Sequence, residues 1–259
     1  MDTTLDILAT FPAFSPYSAG SYEDKARLVI DGINQLFPAL RALASSFGRP
    51  GPRIADITSI ASSDEDLEAA TQLKLHLDRH GSDKSTLHNY HLLYGHVLKQ
   101  AHLVTGICEI GIGTNNTDVV SNMGEGGRPG ASLRAFRDYC AGAMVYGADI
   151  DRRILFEEER IWTGFVDQTD VASLDALAES VPTQLDLIID DGLHSPVANL
   201  NTLRFGLGKI KIGGWTVIED ISPDAICLWE CVSMILPPKF ETHVFRAQGG
   251  VVFAAKRLM

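Results

Sequence analysis

The sequence predicts an α/β fold: a mostly parallel sheet with helices on both faces, a closing antiparallel C-terminal hairpin and a helical N-terminal extension. Three observations carry this. From Leu103 onward, short apolar or β-branched runs alternate with helix-like stretches. Each run ends in an acid or a glycine, as strands do that feed loops at one sheet edge. The last two runs, KFETHVFR and GVVFAAKR, are joined by a turn around Gln248, Gly249 and Gly250.

In chain order, residues 1–78 hold helical patterns, KARLVIDGINQLFPALRALASSF and DEDLEAATQLKLHL, separated by the Gly/Pro segment GRPGPRIAD. They are expected to form an extension that serves oligomerisation or covers substrate, and residues 79–259 the catalytic domain. The strand candidates there are VTGICEIG, AMVYGADI, RIWTGFVD, LDLIIDDG and GWTVIEDI. The long loop TNNTDVVSNMGEGGRPGAS falls between the first two, and its length suits a mobile lid.

Composition excludes several classes. The chain has 259 residues, 45% hydrophobic and 21% charged, which is ordinary globular usage. Its 22 Lys+Arg against 33 Asp+Glu give a net charge of -11, which opposes nucleic-acid binding. No apolar stretch is long enough to span a membrane, and no basic n-region opens the chain. Four cysteines without ligand spacing suit reduced thiols and a cytoplasmic location.

The motifs outline a site in two halves. CEIGIGTN places Glu109, Gly111 and Gly113 at the end of the first strand, where glycines let a ligand approach the backbone. The second strand ends at Asp149, an acid placed to accept both ribose hydroxyls of a nucleoside. The third ends at Val166-Asp167-Gln168, whose carboxylate and amide suit an exocyclic adenine amine. The full GxGxxG of a dinucleotide site is absent, and so is a Walker A lysine.

The fourth and fifth strands end in IIDDGLH and VIED. Asp191 and Glu219 are 28 residues apart, about one βαβ unit. On neighbouring strands, Asp190, Asp191, Glu219 and Asp220 would converge, repel one another and call for a hard cation such as Mg²⁺, or Mn²⁺. His194, just beyond Asp191, is a candidate base near neutrality. The competing reading has Asp190 and Glu219 capping helices and His194 solvated. Upstream, Asp83, Lys84, His88 and Tyr90 form a polar cluster expected to lie over the sheet edge and meet the substrate.

In order, GSDKSTLHNYHLLY, EIGIG, GASLRAFRDY, YGADID, VDQTD, IIDDGLH and GGWTVIEDI resemble the S-adenosylmethionine- and metal-dependent sugar O-methyltransferases of natural-product biosynthesis, including the mycinamicin and rhamnosyl O-methyltransferases and the cephalosporin hydroxylase-like group. The resemblance implies a class I methyltransferase, Rossmann-like fold with a mostly parallel seven-stranded sheet and an antiparallel final hairpin. It also implies S-adenosyl-L-methionine as methyl donor and a sugar or glycoside as acceptor. By the same resemblance Gly111, Ser132, Asp149, Asp167 and Asp190 match cofactor contacts. Asp191, Glu219 and Asp220 match metal ligands, and His194, or failing that Asp191, the base. Leu193 stands where the family has a serine. The rival readings are an NAD-dependent sugar oxidoreductase and a non-catalytic nucleoside-binding domain.

Overall fold

The computed structural model describes residues 21–49 and 51–259, which fall into two compact units. The smaller joins the described residues up to Gly51 with Cys227–Ile235. Its long helix α1 (Tyr22–Ser46) starts where the Ser21 hydroxyl accepts the Asp24 amide, and an Arg41–Glu230 ion pair of 2.8 Å closes on the second segment.

The larger unit holds residues 52–226 and 236–259. Its strands are β1 (Arg53–Asp56), β2 (Gly106–Ile110), β3 (Met144–Asp149), β4 (Glu157–Glu158), β5 (Ile161–Phe165), β6 (Leu185–Asp190), β7 (Ile210–Ile221), β8 (Phe240–Ala247) and β9 (Gly250–Arg257). They form one sheet in the order β1-β8-β9-β7-β6-β2-β3-β5-β4. The seven central strands are the expected set, with β9 antiparallel to both neighbours. Two short edge strands add to them: β1 pairs parallel with β8, and β4 antiparallel with β5.

Helices α2 (Asp64–His80), α3 (His91–Val97), α4 (Ala131–Tyr139), α5 (Val171–Ser180) and α6 (Pro196–Lys209) cover the sheet; a seventh, α7 (Ile226–Ile235), follows β7. Alternate residues of β6 explain why both faces need cover. Leu187 and Ile189 pack with Tyr94, Phe136 and Val217 in one core, while Ile188 packs with Ile110, Leu174 and Phe205 in the other. The chain runs from β2 out to β3 and β5, then crosses back to β6 on the other side of β2. The strand ends at that reversal are where an open α/β sheet presents its ligand crevice.

Candidate active site

Gly111 opens the crevice. Its φ is +84°, and a Cβ there would lie 2.2 Å from the Asp191 carbonyl oxygen, so only glycine lets the β2 and β6 ends approach. Beyond it lies a cavity of about 680 Å³ lined by Gly111, Gly113, Asp149, Asp167, Gln168 and Asp191. The Asp149 carboxylate is fixed by the Ile112 and Asp151 amides, each at 2.9 Å, and burial pushes its pKa up. Each oxygen retains a lone pair for a ligand hydroxyl. Gln168 is committed: its amide donates to Asp190 at 2.6 Å and to Thr202 at 2.8 Å, and accepts the Leu193 amide at 2.8 Å. Asp190 is fully buried, held also by Asn199 at 3.0 Å, and lines neither cavity; it supports the DDGLH turn from beneath.

A second cavity of about 570 Å³ shares Gly113, Ser121 and Asp191 with the first. Asp83, Lys84, Ser132, Asp191, His194 and Asp220 are among its lining residues. Asp191, His194 and Asp220 each offer one ligand atom, all within 4.8 Å of one another. His194 Nε2 lies 4.0 Å from Asp191 Oδ1 and 3.8 Å from Asp220 Oδ2. The register of β7 on β9 shifts between Ile218 and Ile221, and this bulge re-aims Glu219 and Asp220. Glu219 is buried, and its two oxygens accept from Lys84 Nζ and the Tyr94 hydroxyl.

The carboxylate partners of Lys84 are the feature the sequence did not disclose. The Lys84 side chain is 2% exposed, and its ammonium sits 2.5 Å from Asp191, 3.1 Å from Glu109 and against Glu219. Burial alone would lower its pKa, but Asp191, Glu219 and Glu109 together raise it well above the ordinary value. Burial in turn pushes Glu109, Asp191 and Glu219 up despite the lysine. Ser132 donates to Glu109 at 2.5 Å, and Glu109 Oε1 faces the Lys84 ammonium. One ammonium thus faces three carboxylates, with Asp220 beside them.

His88 and Tyr90 line neither cavity. They stack at 4.6 Å behind Asp220, to which the buried Tyr90 hydroxyl donates at 2.5 Å. Tyr94, one helical turn further on, does the same for Glu219. The tyrosine spacing at i, i+4 was the available signal for this paired support.

The strand order, the reversal at β2 and the antiparallel final strand are those of the class I methyltransferase fold. The MycE methyltransferase of the mycinamycin pathway, solved in complex with Mg and SAH, superposes with a TM-score of 0.57 at 21% identity, over 72% of this chain and 55% of that one. No family model matches. By sequence the chain is similar to proteins named as sugar O-methyltransferases. It is 30% identical over 188 residues to the 8-demethyl-8-alpha-L-rhamnosyl tetracenomycin-C 2'-O-methyltransferase of Streptomyces olivaceus, covering 72% of this chain and 42% of that protein. It is 33% identical over 92 residues to the mycinamicin VI 2''-O-methyltransferase of Micromonospora griseorubida, covering 36% of this chain and 23% of that protein. The chain thus spans less than half the length of these relatives.

Proposed function

We propose that this chain carries the catalytic domain of an S-adenosylmethionine-dependent O-methyltransferase acting on a sugar hydroxyl of a nucleotide sugar or glycosylated natural product. The observation that carries the reading is the sharing of Asp191 between a nucleoside-sized cavity containing Asp149 and a second cavity containing the Asp191–His194–Asp220 cluster. The names of the relatives, and the SAH, Mg and mycinamycin VI bound in MycE, support the same chemistry.

The residues present fit both groups. A carboxylate-rich crevice with oxygen and imidazole donors and no thiol suits Mg²⁺ or Mn²⁺, and it also suits a cationic sulfonium. Asp191 and Asp220 would hold the metal, with Glu219 behind them. The metal would supply Lewis acidity that lowers the pKa of a chelated acceptor diol. Asp149 orients the ribose, and Gly111 and Gly113 admit the backbone approach. His194 accepts the acceptor proton as the new C–O bond forms. The methyl C–S bond breaks with its electron pair passing to sulfur, giving S-adenosylhomocysteine.

Four free cysteines support a cytoplasmic site of action. Exposed Leu36, Leu40 and Leu43 along α1, and Phe47 just beyond its end, support a homo-oligomer. The test is transfer of labelled methyl from S-adenosylmethionine to a rhamnosylated acceptor. Transfer is expected with Mg²⁺ or Mn²⁺ and lost with EDTA. Full transfer in metal-free buffer would return the carboxylates to a structural role, and binding of NAD in preference to S-adenosylhomocysteine would overturn the reading.

A further inference from the structure

We propose that Lys84 is the resident cation of this site: it competes with a divalent metal for Asp191 and Glu219 and so keeps the metal weakly held and exchangeable. The inference rests on the reading that Asp191 and Asp220 hold a metal.

The geometry is specific. Asp191 is used from both sides: Oδ2 faces Lys84 Nζ at 2.5 Å, and Oδ1 faces His194 at 4.0 Å within the candidate metal cluster. A metal on Oδ1 and an ammonium on Oδ2 therefore lie across one carboxylate. Like charges at that separation repel. Glu219 is withheld more completely, because Lys84 and Tyr94 occupy one oxygen each. Lys84 is buried, its backbone belongs to the short turn Asp83–Ser85, and the Ser82 hydroxyl accepts its amide. Glu109, on the next strand, holds the ammonium from the far side at 3.1 Å.

Lys84 therefore acts as a positioning residue that sets metal affinity. Without a metal, it compensates part of the buried negative charge. When a metal arrives, the acceptor's two hydroxyls supply ligands that Asp191 and Glu219, tied to Lys84, provide less well. Metal affinity should thus be modest for the protein alone.

The experiment is calorimetric titration of the full chain with Mn²⁺ alone, comparing the wild type with Lys84→Met, which keeps an unbranched chain and removes the charge. The expected result is a gain of about tenfold or more in Mn²⁺ affinity, abolished when Asp191→Asn is added. Equal or weaker affinity in folded Lys84→Met, or no Mn²⁺ binding by either protein, overturns the proposal. Removing the ammonium leaves the buried Glu109 and Glu219 and the part-buried Asp191 uncompensated, so a second pair is included. Glu109→Gln is compared with Glu109→Gln/Lys84→Met, where one carboxylate is neutralised in both. The same gain is expected between them, and its absence counts equally against the proposal. Titration of the wild type with S-adenosylhomocysteine tests the methyltransferase reading separately. Failure there with the Mn²⁺ gain intact leaves Lys84 as a metal-tuning residue in a site of another function.

Discussion

His194 and Asp220 both hold left-handed backbone conformations, with φ of 55° and 52°. Among the described residues only five non-glycine positions do so, and three of them, with Ser121, line the second cavity. Such conformations cost about 1–3 kcal/mol each and persist where the fold over-determines them. Their concentration here means stability is given up to aim these side chains at one another. His194→Gly should consequently be more stable than His194→Ala by about 1 kcal/mol. Both variants should lose about 10²–10⁴-fold in turnover while keeping cofactor affinity. Equal melting temperatures would contradict the strain, and near-normal turnover would move the base to Asp191. At this scale, IIDDGLH and VIED were legible because acids at strand ends need only chain order to be placed. Lys84 was not. A lysine in a GSDK turn reads as solvated or substrate-facing, and only the side-by-side pairing of β2, β6 and β7 reveals that three carboxylates surround it.

Among the elements, the segment from Thr114 to Gly130 contributes most to the shape of both cavities. Its length predicted a mobile lid, but the structure ties it at several points. Asp151 accepts from the Thr114 hydroxyl and the Asn116 amide, each at 2.7 Å, and Arg153 bridges Asp151 to Asp118. Thr114 also accepts the Met123 amide, and Ile112 the Gly130 amide, each at 2.8 Å. Asp151 and Thr114 are buried, whereas Arg153 and Asp118 are 52% and 70% exposed. Hydrogen bonds to a buried carboxylate outweigh an exposed ion pair. Asp151→Ala should therefore raise the rate of proteolytic cleavage in this segment by roughly tenfold or more, and Asp118→Ala should change it little. Limited proteolysis of the two variants checks the ranking; equal rates would mean that the ties do not hold the loop. The partner of this loop lay 37 residues from Thr114, with only chain order to connect them, so length was visible and anchorage was not. Likewise β1 and β4, four and two residues long, are too short to show alternation. They exist because edge pairing with β8 and β5 satisfies their backbone groups.

For the whole molecule, the five βα alternations from Leu103 specified the sheet and its direction, and right-handed crossovers then restricted which strand ends meet. The net charge of -11 acquires a local meaning, because buried carboxylates gather at the centre of that edge. The reversal at β2 sets Asp149 on one side of Gly111 and the Asp191 cluster on the other. The central claim is that this edge is a methyl-donor site, and Asp149 tests it most directly. Its carboxylate is held by two backbone amides and is not among the groups touching Lys84, so its replacement leaves the acidic cluster intact. Calorimetric titration with S-adenosylhomocysteine should show binding to the wild-type chain and a loss of at least about tenfold for Asp149→Ala, as expected for removing a charged acceptor. Unchanged affinity in the variant, or no binding by the wild type, would contradict the account.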